Sequence, residues 1–187
     1  MGVSYTGASV VTAGSRETFS VAITADVEIP KGGADGVILC QGGRVGGFSL
    51  YLKGGKPMYH YNYLGMQRFT VAATEPVAAG KATIRLEFAY DGGGLGKGGL
   101  ATMIVNGKKV AEGRIGTTQP MIFSADETAD VGVDDAMPVT EDYKLGDNEF
   151  TGKIHKVRID IGAVGAAEKL AAAQAAEQLA MKKAIAD

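Results

Sequence analysis

Short runs of alternating apolar and polar residues, cut by glycine and other turn formers, constrain this chain more than any other feature of its sequence. In Phe19–Ile29 the odd positions are apolar and the even ones mostly polar. That is the period of a strand with one buried and one wet face, and Pro30 ends it. Gly36–Gln41 is a short apolar run. Phe48, Leu50 and Leu52 alternate with Ser49, Tyr51 and Lys53; Gly54-Gly55 follows, and Pro57–Leu64 reads as the returning arm of a hairpin. Met66–Ala73 and Ile84–Tyr90 give two more strands. Asn106-Gly107, the favoured filler of a two-residue hairpin turn, joins Thr102–Val105 to Lys108–Arg114. In Lys153–Ile161, Val157, Ile159 and Ile161 share a face, and parity places His155 with them at the edge of the core.

About ten short strands joined by turn residues predict an all-β antiparallel sandwich or jelly roll rather than a βαβ fold. The 28 glycines among 187 residues fit this picture. They exceed the roughly 13 of average usage and fall mostly between strands, where reversals need positive φ. After Gly165 the composition changes. Ala166–Asp187 is rich in Ala, Glu and Lys, without Pro or Gly, and predicts a helix. Its large apolar residues, Leu170, Leu179, Met181 and Ile185, make a thin stripe, which suits either a solvated tail or a helix docked elsewhere. The expected organisation is a sandwich over 1–162 and a helical tail over 163–187.

A formal net charge of −2, no Trp and no basic cluster interleaved with aromatics argue against nucleic acid or an anionic membrane surface as partner. No apolar stretch is long enough to span a bilayer. Met1–Tyr5 lacks a basic start followed by an apolar run, so no secretory signal is expected. The cytoplasm is the default location, with periplasm or secretion if the chain is part of a longer precursor. A single cysteine, Cys40, excludes an internal disulfide.

Three places could carry chemistry. Tyr59, Tyr61 and Tyr63 alternate along one strand and share a face. Exposed, they would stack on sugar rings, with Asn62, Arg68, Arg44 and Gln67 as hydrogen-bonding neighbours; the alternative packs them between sheets. The segment Phe123–Asn148 is acidic and irregular. Asp126, Asp130, Asp134, Asp135, Asp142 and Asp147 either bind a hard cation, calcium being the usual partner, or form a solvated surface; the spacing is not that of an EF-hand. Asp91–Gly99 is glycine-rich, but it lies between strands and lacks the Gly-Lys-Ser/Thr ending of a phosphate loop. Two histidines, His60 and His155, are too few for a histidine-rich metal site, and no nucleophile elbow accompanies them.

Several blocks, in order, resemble the C-terminal region of bacterial arylsulfatases: ITADVEIPKGGADGVILCQGG (Ile23–Gly43), GGFSLYLKGGKPMYHYNYLG (Gly46–Gly65), IRLEFAYDGGGLGKGG (Ile84–Gly99), FSADETADVGVDDAMPVTEDY (Phe123–Tyr143) and FTGKIHKVRIDI (Phe150–Ile161). The resemblance implies a concanavalin-A-like jelly roll that follows a large α/β sulfatase domain. It implies a non-catalytic module, because the family's formylglycine-forming cysteine, calcium-binding aspartates and sulfate-contacting residues lie upstream. Cys40 and Arg44 keep the spacing of the nucleophile motif C-x-P-S-R, but without its proline and serine, so an inert buried thiol is expected. Two roles follow: an accessory or lectin-like module that binds carbohydrate or docks on a sulfatase catalytic domain, or a structural, self-assembling sandwich that uses its termini to contact another copy of itself.

Overall fold

The structure, a computed structural model, describes residues 21–120, 129–135 and 137–161. The expected tail helix, the 162/163 boundary, Asp126 and the first residues of the Phe19 run lie outside them. The alternating runs become ten strands: β1 (Val21–Ile29), β2 (Gly36–Gly43), β3 (Gly46–Lys53), β4 (Lys56–Tyr63), β5 (Gln67–Ala72), β6 (Gly80–Tyr90), β7 (Gly99–Val105), β8 (Lys108–Ile115), β9 (Ala129–Val131) and β10 (Lys153–Ile161). They form two five-stranded antiparallel sheets, ordered β10-β1-β6-β7-β8 and β5-β4-β3-β2-β9. No helix occurs among the described residues.

The core lies between the sheets. Ile23, Ala25, Val27, Ile84, Leu86 and Met103 face Ile38, Leu50, Leu52, Tyr59, Tyr61 and Val71. Each large apolar side chain buried there contributes about 1.5–3 kcal/mol. Phe69 and Val71 of β5 close onto Gly116 and Gly113 beside β8, sealing one side of the sandwich. The Asn106-Gly107 turn forms as expected, with φ of 50° and 80° at its two central residues, the type I′ pattern.

Three bulges break the alternation. In β8, where Met103 pairs with Ala111 but Ile104 with Lys109, Val110 is the extra residue, and Val110 and Ala111 both pack on the core. In β2 the register shifts between Val37 and Leu39, so Ile38 and Leu39 both reach the inter-sheet core while Val37 and Cys40 pack on the outer face. In β10, Asp26 pairs with Lys156 but Val27 with Ile154, which leaves His155 as the extra residue. Ile154 and Val157 pack on the core, and His155 lies on the solvent side. The inward placement expected for His155 from parity is therefore corrected.

The two sheets differ on their outer faces. That of β5-β4-β3-β2-β9 is crossed by residues 133–135 and 137–148, here called the strap. Val139 and Tyr143 of the strap pack on Val37, Cys40, Tyr51 and Met58. Its exit needs a glycine: at Gly36, φ is +102° and a Cβ would lie 2.3 Å from the Glu149 carbonyl oxygen. Val37 N donates to Asn148 O at 2.8 Å beside it. The other sheet presents Thr24, Asp26, Glu28, Lys81, Thr83 and Arg85 on the face away from the core.

Candidate functional site

The tyrosines share a face, and that face is the inter-sheet core. Tyr59 and Tyr61 are 5% and 6% exposed, and Tyr63 is half-buried against the same cluster. The Tyr61 hydroxyl accepts a 2.7 Å hydrogen bond from Gln119 N. Burial raises the pKa of both Tyr59 and Tyr61. Rings packed in this way have no open face for a sugar, so the stacking row is corrected to core packing.

Asn62 lies on the opposite side of β4 and is fully buried. Its Nδ2 donates to Arg44 O at 3.0 Å and Val139 O at 3.1 Å, and its Oδ1 accepts from Gly65 N at 2.9 Å. One side chain thus ties two turns to the strap, with none of its main polar capacity turned to a ligand. Arg44 is exposed in the β2–β3 turn. Arg68 donates to Gly65 O at 3.4 Å and stands 3.8 Å from Glu141.

The acidic residues act one by one. Asp134 is 1% exposed, and its Oδ2 accepts from Val139 N at 3.0 Å and Tyr143 Oη at 2.8 Å. Burial holds its pKa above the usual carboxylate value despite those donors. Asn148 completes the clamp, its amide bonded to Asp134 N and O at 2.8 and 2.9 Å. Partial burial pushes Asp142 upward, but hydrogen bonds from Lys53, at 2.6 Å, and from Tyr51 outweigh it and hold the carboxyl low. Asp130 sits in β9 opposite Cys40, while Asp135 and Asp147 are exposed. No three Asp, Glu, His or Cys side chains among the described residues gather around a common point. Of the six aspartates considered for a cation, Asp126 lies outside the described residues, and Asp134 and Asp142 fasten the strap with carboxylates that already have donors.

Cys40 is buried, its Sγ 3.6 Å from Val133 O, and burial raises its pKa far above that of a reactive thiol. The glycine-rich loop folds around the Tyr90 hydroxyl, which donates to Gly94 O at 2.5 Å and accepts from Lys97 N at 2.9 Å.

The outer face of the β10-β1-β6-β7-β8 sheet holds a groove of about 310 Å³ lined by Asp26, Val27, Lys81, Ala82, Thr83, Asn106 and His155. Its walls follow from two local features: the β10 bulge supplies His155 and the I′ turn supplies Asn106. Thr83 sits between them. Its hydroxyl donates to Asp26 Oδ1 at 2.9 Å, and its N–H donates to Asn106 Oδ1 at 2.8 Å. His155 Nε2 meets Glu28 at 3.1 Å. Among the described residues, Asn106 Nδ2 and Lys81 Nζ make no hydrogen bond or ion pair. The groove therefore sets a carboxylate acceptor beside amide and ammonium donors, on a surface open to water. Sequence reading missed it. The signal was the consecutive polar pair His155-Lys156 between Ile154 and Val157, which breaks the two-residue period.

No family model matches the chain, and no curated protein matches it. Among solved structures it is similar to the CBM40 of the Ruminococcus gnavus IT-sialidase bound to α2,3-sialyllactose. The identity is 14% over 79% of this chain and 79% of that chain, with a TM-score of 0.50. It is also similar to the LG1–3 region of the laminin α2 chain, at 12% identity over 80% of this chain and 28% of that chain, TM-score 0.50. A heptameric SAP-like pentraxin from Limulus polyphemus aligns at 11% identity over 76% of this chain and 65% of that chain, TM-score 0.47. The chain thus spans less than two thirds of the laminin and pentraxin chains. Likeness at this identity concerns the fold alone, an antiparallel β-sandwich of the jelly-roll type. None of these three is a sulfatase.

Proposed function

We propose that this chain is a non-catalytic accessory module that binds carbohydrate in the groove formed by Asp26, Lys81, Thr83, Asn106 and His155. The observation that carries the reading is the groove's mixed set of polar groups. Adjacent sugar hydroxyls both donate and accept, and a carboxylate beside an amide and an ammonium answers both needs. The volume lies near the lower bound of the roughly 300–1,000 Å³ typical of small-molecule sites, which suits one or two sugar rings. Acid and base are balanced there, which favours a hydroxyl-rich ligand over a bare phosphate.

The non-catalytic part of the reading draws on the described histidines and cysteine. His155 is bonded to Glu28, His60 is closed under the strap, and the Cys40 thiol is buried. The resemblance to arylsulfatase C-terminal regions, which runs from Ile23 through the Ala-rich tail, makes a sulfatase catalytic domain the proposed neighbour. The other role, self-assembly, draws on exposed apolar residues at one end of the sandwich and predicts a concentration-dependent oligomer in light scattering.

A glycan array with neutral and sulfated glycans tests the carbohydrate reading. Specific binding that is lost on Asp26→Ala or Asn106→Ala, with folding intact, is the expected result. Silence across the array, or binding indifferent to both substitutions, overturns it.

A further inference from the structure

The turns at one end of the sandwich carry exposed apolar side chains: Val45 between β2 and β3, Leu64 and Met66 between β4 and β5, and Leu95 between β6 and β7. Register places them together. Gly47 pairs with Asn62 in one sheet, Phe88 pairs with Val21 and Val21 with Ile161 in the other, and Phe69 meets Gly116 across the gap. Ile161, the last described residue, joins this rim at 72% exposure, and Met66 is 69% exposed. At the opposite end the turns at Gly54-Gly55 and Asn106-Gly107 carry no exposed large apolar residue, and Leu145 of the strap, 60% exposed, is the one that stands near them among those described.

Leu64 adds a second observation. Its φ is +53°, a left-handed conformation that glycine or asparagine adopts far more readily than leucine. The turn holds a bulky apolar side chain in the open at a backbone cost, an outlier that persists only where the surrounding structure holds it.

We propose that this end is the docking surface for the chain's own C-terminal segment, residues 162–187. The segment begins after Ile161, at one edge of the rim, so the two need no long connection to meet. As a helix, residues 166–187 would extend about 33 Å at 1.5 Å per residue. That is ample to cross a five-stranded sheet, about 19 Å between its outer strands at roughly 4.8 Å spacing. At about 100° per residue, Leu170, Met181 and Ile185 would fall within about 60° of one another, with Leu179 on the opposite side and outside the docked stripe. So thin a stripe does not hold a helix in water, whereas an apolar rim gives it a partner. The groove lies toward the opposite end, beside Asn106, so docking leaves it open. This inference does not depend on the carbohydrate reading.

Hydrogen-exchange mass spectrometry on the full chain tests it. The triple variant Leu170→Asp, Met181→Asp, Ile185→Asp is compared with the wild type and with Ala176→Asp, which lies on the other side of the same helix. The expected result is several-fold faster exchange at 44–46, 64–66 and 92–98 in the triple variant alone, with β1 unchanged as the control for folding. Equal exchange in all three proteins overturns the proposal. So does rim protection that vanishes on dilution of an oligomer, which assigns the surface to a second copy, or that appears only with lipid vesicles.

Discussion

The Tyr143 hydroxyl stands 2.8 Å from Oδ2 of Asp134 and 2.9 Å from Oγ of Ser49. A hydroxyl has one proton, so Tyr143 donates to the carboxylate and accepts from the serine. This pair fixes the strap over the face that its neighbours Val37, Cys40 and Tyr51 make apolar. Tyr143→Phe takes one donor from a buried acid and is expected to cost about 1–3 kcal/mol. Urea unfolding should show a lower midpoint with an unchanged m-value. An unchanged midpoint would mean that water takes the place of the hydroxyl.

His60 makes the same face sensitive to pH. Its Nδ1 meets Thr70 Oγ1 at 2.9 Å, and its Nε2 is buried without a partner. Burial lowers its pKa below 6.5, against the upward pull of Asp142. The unfolded chain therefore takes up this proton first, and stability falls as the pH drops from 6.5 toward the folded value. Unfolding free energies at pH 7.5, 6.5 and 5.5 should decline in that order, and His60→Gln should flatten the decline. Asp142, held low, adds its own loss only below 3.8. The raised pKa of Asp134 acts in the opposite sense, its penalty easing as the pH falls toward 3.8.

Gly36 is the tightest point in the strap's return. A methyl group there would sit 2.3 Å from the Glu149 carbonyl oxygen, on a backbone with φ of +102°. Neither partner is a flexible side-chain tip. Gly36→Ala should destabilise at or beyond the top of the roughly 0.5–3 kcal/mol range of ordinary substitutions. Gly54→Ala, at φ +58° with no atom within 4 Å of the new methyl, should cost less. A thermal melt of the two variants reads the difference, and equal midpoints would contradict the close approach.

Much of this architecture was legible in the sequence, for a physical reason. Strands half exposed to water write their parity into residue order, so β1 and β6 could be read directly, and Asn106-Gly107 announces its turn. What parity cannot say is which face is covered, and by what. Tyr59, Tyr61 and Tyr63 do share a face, but the same alternation describes an exposed row and a buried one. The strap reverses the rule for Ser49, Tyr51, His60 and Asn62, polar residues on a face that ordinarily meets water. The bulges at β2 and β10 shift register without a glycine to mark them, so the outward turn of His155, and with it the groove, was hidden. β9 is only three residues long and is defined by pairing with Leu39–Gln41 rather than by its own pattern.

Calcium should leave the fold unchanged. Asp134 and Asp142 already have hydrogen-bond donors, and the remaining described acids do not converge with them. Melting midpoints with added calcium and with chelator should coincide. A clear upward shift with calcium would restore the acidic segment as a cation site.

The groove is the centre of the functional account, and equilibrium binding to an array-selected glycan tests it most directly. Calorimetry would compare the wild type with Asp26→Ala, Asn106→Ala and the strap variant Asp142→Asn. The account predicts that each groove substitution weakens binding at least about tenfold, the loss of roughly 1.4 kcal/mol of hydrogen bonding, while Asp142→Asn leaves it unchanged. Binding that survives both groove substitutions but falls with Asp142→Asn would contradict it and move the site to the strap-covered face.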